Sequence, residues 1–469
     1  MIRRPRYDYD LLVLGSGAAG STAALVAARA DKKVGLIEAD TFGGGAPNWG
    51  DIPVKTLLGV AQLYNRIQRG HQFGLDTSRV DFDYPAIQHW KNTVVERTGA
   101  GDNEHYYNQQ GIDTFYGKGV LRDQHTVTIG DHEVTAGHIL IATGAHVTQP
   151  AIAGIETIDW LTPRTALKLS RPPRSLLIIG ATTTAIELAH FFATFGSTVS
   201  VAEQSSRILP TEDEEVSEAV SSLLQRDQPL SVLTQTTIRS LMRGPSGNVI
   251  VQYIRGGIER TMEVERVLVA TKPEPTIDIG LDNAEVTYSP DDGIEVNQFF
   301  QTNVRHIYAA GHVLGNDVPT HTVLSEGRLT AHNILHPKSQ MTLDYELVPR
   351  ATFIYPEVAS VGFNEDDCIK RDLKINKVLV PLGMIARSNT SDFREGFVKL
   401  ISDKQGVLLG GTIVAPRASE LIQEVTLAIK HDLTAEQLAE LPHVFLTWSE
   451  AVRTAASKLS RKERDLFCS

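Results

Sequence analysis

Short, unbroken apolar runs punctuate the first half of the chain, each ended by a turn of small residues and followed by residues at helical spacing. Leu11-Leu12-Val13-Leu14, Val34-Gly35-Leu36-Ile37, His138-Ile139-Leu140-Ile141-Ala142 and Ser175-Leu176-Leu177-Ile178-Ile179 have strand length without polar alternation, the pattern of parallel strands covered on both faces. Helices are expected over 21–29, 56–68, 84–97, 184–194 and 325–334. Strands are expected at 111–116, 198–202 and 305–312, with alternating strands from 230 to 269. Beyond about Leu347 the pattern changes. Strands at 352–355, 377–381, 396–401 and 407–413, followed by helices at 419–430 and 434–441, describe an antiparallel α+β module.

The first run enters Gly15-Ser16-Gly17-Ala18-Ala19-Gly20, a complete G-x-G-x-x-G between a strand and a helix. Gly15 permits the tight turn, Gly17 lets the backbone approach a pyrophosphate, and Gly20 lets the helix pack on the strand, with phosphates resting on the helix N-terminal N–H groups. The next strand ends in Glu38, whose carboxylate is placed to accept from both ribose hydroxyls of an adenosine.

This unit then repeats. The strand before Gly180, the helix over 184–194, the strand over 198–202 and its terminal Glu203 form a second dinucleotide-type domain inserted in the first. Its turn is altered to Gly180-Ala181-Thr182-Thr183-Thr184-Ala185, where Thr182 puts a side chain against the pyrophosphate position. NADH binding there is expected to be weak, or the scaffold to be kept without a ligand. Gly119, Ala142-Thr143-Gly144 and the turn at Gly311 are further small-residue surfaces beside the first nucleotide position. The fold class is α/β, with two Rossmann-like dinucleotide-binding domains and a C-terminal α+β dimerisation domain.

Composition narrows the partners. At 469 residues the chain exceeds one hydrophobic core, and 42% hydrophobic with 22% charged residues is an ordinary globular balance. No run of about 18 apolar residues offers a membrane span. A net charge of −11 with no Lys/Arg cluster outside the tail at 458–464 argues against nucleic acid. Met1-Ile2-Arg3-Arg4 is followed by Pro5, Asp8 and Asp10 where a signal peptide would be apolar, so a cytoplasmic location is expected. Two cysteines, Cys368 and Cys468, make neither a disulfide framework nor a cysteine-rich metal site, and no metal is expected.

Gly43-Gly44 leading to Ile52-Pro53-Val54-Lys55, Ala142-Thr143-Gly144, Arg207-Ile208-Leu209-Pro210, Ile307-Tyr308-Ala309-Ala310-Gly311 and Ser449-Glu450-Ala451-Val452 recur in an order that resembles the flavoprotein disulfide reductases, through essentially the whole chain. The resemblance implies an FAD domain over 1–150, an NAD(P)-like domain over 151–277, a central segment over 278–346 completing the FAD domain, and a dimer-interface domain over 347–469. It also implies that Lys55 contacts the flavin and pairs with Glu187, that Gly44, Gly311 and Thr320 meet the cofactor, and that His312 replaces an aspartate at the ribityl chain. The family's redox-active cysteines fall on Ala46 and Asp51, and its histidine base on Phe445, although the base's acidic partner Glu450 remains. The turn beside the nicotinamide is altered to Lys272-Pro273-Glu274-Pro275. His443 remains nearby, and a lone histidine beside a helix end is more often structural than catalytic.

These departures imply an FAD-dependent oxidoreductase without a redox disulfide. Electrons would pass directly to a small planar acceptor such as a quinone, with NADH a possible donor and the chain a homodimer. Trp49, Phe445 and Trp448 would make the site apolar and aromatic, unless they are core and interface packing. Asp51, if desolvated beside Trp49, would serve as a proton donor; otherwise it would act by charge alone, face solvent, or cap the helix near Pro53. Two alternatives stand beside this reading: a non-enzymatic FAD-binding dimer, and a mercuric-reductase-like metal role for Cys468.

Overall fold

The computed structural model describes residues 7–98 and 104–460, so Cys468 and the end of the basic tail lie outside the described residues. The apolar runs become a parallel sheet. Strands Ile112–Tyr116, Val34–Glu38, Tyr9–Leu14 and His132–Ile141 lie side by side, and Ile307–Ala309 adds to the far edge of His132–Ile141. Leu11 to Leu14 are almost wholly buried because helix Ala18–Arg29 covers the Leu11 and Val13 face and the strands around Leu121 and Val127 cover the Leu12 and Leu14 face, which is why their sequence lacks alternation.

A second parallel sheet runs in the order Leu230–Leu233, Thr198–Ala202, Ser175–Ile179 and Arg266–Val269. An antiparallel meander of Thr236–Arg243, Val249–Arg255 and Ile258–Val264 completes this unit. The chain leaves the first unit at Ala145–His146 and returns at Glu274–Pro275. These two crossings pair antiparallel, so the insertion is fastened at its neck. Glu274, in the altered turn, accepts from Thr148 Oγ1 at 2.6 Å across that neck.

The C-terminal unit is a five-stranded sheet ordered Arg350–Thr352, Glu357–Gly362, Leu408–Ala415, Phe397–Asp403 and Ile375–Pro381, with helices Ala418–Lys430, Ala435–Glu440 and Ser449–Leu459 packed on it. The strand expected at 352–355 is corrected here. Its first element ends at Thr352, and the strand that follows, Glu357–Gly362, has no expectation behind it. Val358 to Val361 are buried on both faces, and small Ala359 and Ser360 leave no period-two signal to read.

The second and third units meet through ions. Lys399, 2% exposed in strand Phe397–Asp403, lies 3.0 Å from both Asp213 and Glu215 and also pairs with Glu365. Three carboxylates this close have the spacing of a cation site, and the Lys399 ammonium supplies the cation. Arg207 to Asp366 at 2.9 Å and Arg350 to Glu212 at 3.3 Å extend the seam.

Burial alone would lift the Glu365 carboxyl, but Lys377 and Lys399 outweigh it and hold its pKa below the ordinary value. A carboxylate depressed on folding stabilises above its unfolded pKa, and that contribution is lost as pH falls through the folded value. Lys399→Met should therefore cost about 3 kcal/mol at neutral pH, because it leaves unpaired carboxylates in a buried seam. Denaturant unfolding should show the gap from wild type narrowing below about pH 4, where the carboxylates protonate. An equal gap at both pH values would contradict this account.

Candidate functional site

The first fingerprint forms an open cradle. Gly15 has φ +98°, and a Cβ there would meet Ala142 O at 2.3 Å, so the turn lies directly on the end of strand His132–Ile141. Gly17 caps helix Ala18–Arg29 without any side-chain hydrogen bond, and a Cβ on it would meet nothing within 4 Å. The N–H groups of the first turn therefore face open space, the condition for holding a phosphate. Gly44, at φ +66°, brings its backbone onto this turn, since its Cβ would lie 2.6 Å from Gly17 Cα.

Ser16, fully buried, fixes the cradle to its surroundings. Its Oγ donates to Glu38 Oε2 at 2.6 Å and accepts from Gly43 N at 3.0 Å. Glu38 also accepts from Ser16 N at 2.9 Å and Asp40 N at 2.8 Å. Those contacts leave part of its acceptor capacity for a ribose. Gly119 is buried, and a Cβ there would press on the Ile37 and Leu14 side chains, so the glycine lets this strand pack beneath the sheet. Thr143 Oγ1 donates to Thr276 O at 2.7 Å, and Gly144 O accepts from Thr276 N at 2.9 Å. Those two bonds tie this turn to the returning chain.

The reactive loop centres on Lys55, in helix Asp51–Gln68. Its Nζ lies 2.9 Å from Glu187 Oε2 and 3.3 Å from Asp51 Oδ1, with the Phe353 ring 5.0 Å away. Burial by itself pulls the Lys55 pKa down, but Glu187 and Asp51 outweigh it, so the ammonium is held charged. Asp51 Oδ2 accepts from Thr320 Oγ1, at the start of helix Thr320–Leu335. The expectation of a desolvated Asp51 is corrected: its side chain is 43% exposed and paired with Lys55. It does not cap its helix either, since Gly50 occupies that position and no side-chain cap bond forms. Ala46 lies in the short helix Gly45–Asn48, and Cys368 is buried far along the chain in helix Glu365–Lys370, where burial pushes its thiol pKa up.

The second fingerprint has the same backbone and a different occupant. Thr182 caps helix Thr183–Thr194 at φ −64° and ψ 166°, close to the φ −62° and ψ −175° of Gly17. Its Oγ1 accepts from Ala185 N at 3.3 Å and donates to Ala270 O at 3.1 Å. The helix thus consumes one of its own N-terminal donors, which the first fingerprint leaves open. Gly180 keeps φ +102°, while Glu203 folds back to accept from Ser205 N and Oγ, both at 2.8 Å.

A family model described as pyridine nucleotide-disulphide oxidoreductase matches residues 9–333, and one for the dimerisation domain of the same family matches residues 348–456. The chain belongs to this family. It is 30% identical to a mercuric reductase of Staphylococcus aureus, over 98% of this chain and 84% of that protein. It is also 30% identical to a dihydrolipoyl dehydrogenase of Bacillus subtilis, over 96% and 97%. Among solved structures it resembles the HOCl-induced flavoprotein disulfide reductase RclA of Escherichia coli, with a TM-score of 0.84 and 25% identity, covering 96% of this chain and 99% of that one. Members of the pyridine nucleotide-disulphide oxidoreductase family bind FAD and NAD(P)H. Among the described residues no helix is long and apolar enough to cross a membrane.

In this family member the aromatic expectation divides. Trp448 is 9% exposed in the C-terminal core, edge-on to Phe393, so its place in an acceptor pocket is corrected. Trp49 is covered by the Arg164 guanidinium at 3.8 Å. Phe445, 72% exposed, stands on a loop whose next residue, Leu446, has φ +62°. Phe445 lines a cavity of about 240 Å³ with Pro442, His443, Glu450 and Arg453. His443 uses Nδ1 toward Leu441 O and Nε2 toward Glu424, so neither ring nitrogen is presented to a substrate. Glu450 Oε2 is buried without a hydrogen-bond partner.

His312 Nε2 donates to Val318 O at 2.8 Å. Sequence reasoning missed the residues that hold this centre: Phe353, whose N–H donates to Glu187 Oε1 at 2.9 Å, and Glu326, which meets Gly311. No local motif marks either one.

Thr182→Gly should reopen the second fingerprint. Gly is a tolerated helix cap, so the helix should lose only about a few tenths of a kcal/mol, while the freed Ala185 N–H should let NADH bind more tightly when measured by titration. Unchanged affinity would mean that this turn is not the obstacle.

Proposed function

We propose that the chain is an FAD-dependent oxidoreductase without a redox disulfide, delivering electrons directly to a small planar acceptor such as a quinone, with NADH as a weakly held donor. One observation carries the reading. The Lys55–Glu187 pair, its carboxylate buried, is built at 2.9 Å beside a loop whose candidate relay positions are Ala46 and Asp51. A dithiol relay cannot form from these residues, while a buried ion pair is costly to keep unless its geometry is used.

FAD, when bound, supplies the two-electron chemistry that no side chain here can. The first fingerprint fits it, with an uncapped helix, an open space at Gly17 and spare acceptor capacity on Glu38. Gly44, Ala142 to Gly144, Gly311, His312 and Thr320 are proposed as the remaining contacts, with Lys55 held charged at the reactive edge. Gly180 and Glu203 are proposed to retain what NADH affinity remains. Glu450 and Phe445 are proposed to act in a homodimer, and the apolar Val444 and Phe445, 73% and 72% exposed, support such an interface. Asp51 is proposed to act by its charge beside the flavin, where Lys55 and Thr320 hold its carboxylate in one orientation.

The visible spectrum of the purified protein should show about one non-covalent flavin per chain, bleached without air by NADH only at high concentration. Heat-released supernatant without flavin bands would overturn the cofactor assignment. Turnover of lipoamide, glutathione disulfide or mercuric ion at rates typical of disulfide reductases would overturn the relay-free assignment.

Asp51→Asn keeps size and removes the charge. It should raise the flavin potential with quinone turnover retained. A loss of turnover of about a hundredfold, the range of general acid catalysis, with little change in potential would assign Asp51 a proton-donor role instead.

A further inference from the structure

Glu326 is fully buried on helix Thr320–Leu335, where a carboxylate without partners would be strongly unfavourable. It has two partners, both at short range. Oε2 accepts from Gly311 N and Oε1 from the Tyr345 hydroxyl, each at 2.7 Å. Gly311 begins the turn after strand Ile307–Ala309, at φ +85°, and lies beyond the strand that could have satisfied its N–H. The bond to Glu326 therefore decides where this turn stops.

The same helix controls the turn from other sides. A Cβ on Gly311 would lie 3.2 Å from Val323 Cγ1, one helical turn before Glu326, and 3.5 Å from Ala19 Cβ. Gly327, next to Glu326, lets the helix touch the first fingerprint helix directly, since its own Cβ would meet Ala19 O at 2.2 Å. Glu326 and Gly327 together set the distance between the two halves of the cradle. Tyr345 belongs to the 3-10 turn Tyr345–Leu347, which leads into the C-terminal sheet at Arg350.

We infer that Glu326 is the positioning residue for the Gly311-His312 turn of the cofactor site and that Tyr345 ties this turn to the C-terminal domain. The inference rests on the FAD reading above. Glutamine can replace glutamate in this geometry, because its oxygen can accept from Gly311 and its amide can donate to the Tyr345 hydroxyl. Leucine can do neither.

The test compares wild type with Glu326→Gln, Glu326→Leu, Tyr345→Phe and the core control Leu329→Ala. FAD affinity and flavin band shape are read on the reloaded proteins, and hydrogen exchange over 307–315 is read on the flavin-free ones. Glu326→Leu should weaken FAD by about tenfold or more and speed exchange at Gly311. Glu326→Gln should restore both, and Tyr345→Phe should fall between. Leu329→Ala should lower the thermal midpoint while leaving FAD affinity and band shape near wild type.

If Glu326→Leu does not fold, faster exchange in Tyr345→Phe together with wild-type behaviour of Glu326→Gln supports the inference. Unchanged exchange in Tyr345→Phe, or FAD affinity that only follows thermal stability across the set, overturns it. Wild-type protein that holds no flavin would overturn the cofactor reading instead. The exchange rates of the flavin-free variants still judge the Gly311 contact in that case.

Discussion

A single buried carboxylate joins the three units of this molecule. Glu187, on helix Thr183–Thr194 of the inserted unit, takes the Lys55 ammonium of the first unit on one oxygen and the Phe353 N–H of the third on the other. At 1% side-chain exposure it has no water to replace either partner. Loss of one contact would leave an unpaired group in the core, so the three units must be docked together or not at all around this point. The docking also fixes a charge. Lys55, part-buried, is held charged because Glu187 and Asp51 outweigh its desolvation.

The two fingerprints share one scaffold and differ in the residue that opens each helix. Both have a glycine at positive φ against the end of a neighbouring strand, Gly15 on Ala142 and Gly180 on Ala270. Both helices begin with nearly the same dihedral angles. Because the backbone is shared, the difference lies in what satisfies the first helical N–H groups. Gly17 leaves them for a ligand, and Thr182 takes one for itself. Capping stabilises the second helix in the absence of any nucleotide, so the inserted unit holds its shape as a docking partner for Lys55 whatever it binds.

Much of this was legible in the sequence, for a physical reason. The parallel strands are continuous apolar runs because both faces are covered, and each fingerprint is local, fixed by residues within one strand, turn and helix. Helix Tyr84–Arg97 and strand Thr198–Ala202 have the bounds that periodicity assigned them. The failures are non-local. Trp448 reads as a pocket aromatic from its neighbourhood and is a core residue because Phe393, far away in sequence, lies against it. Asp51 reads as desolvated beside Trp49, but Arg164 takes the Trp49 face, and Thr320 with Lys55 takes the carboxylate at the surface. Glu326 and Phe353 act across tens to hundreds of residues, and no spacing rule reaches that far.

The loop at 43–51 explains how a site of this geometry stands without a covalent closure. Trp49 N and Gly50 N both donate to Gly45 O, at 2.9 and 2.7 Å, so the loop folds back on itself through its backbone. Gly50 is suited to that fold, since a Cβ there would crowd Gly45 O and Ala46 Cα at 3.1 and 3.2 Å. Asp51 then anchors the far end, to Lys55 one turn along its own helix and to Thr320 on another. A carboxylate in the first turn of an 18-residue helix is favoured by the helix dipole, which acts along with Lys55 to keep the anion in place. Hydrogen bonds and one ion pair thus fold the loop on itself and fasten its far end to helix Thr320–Leu335.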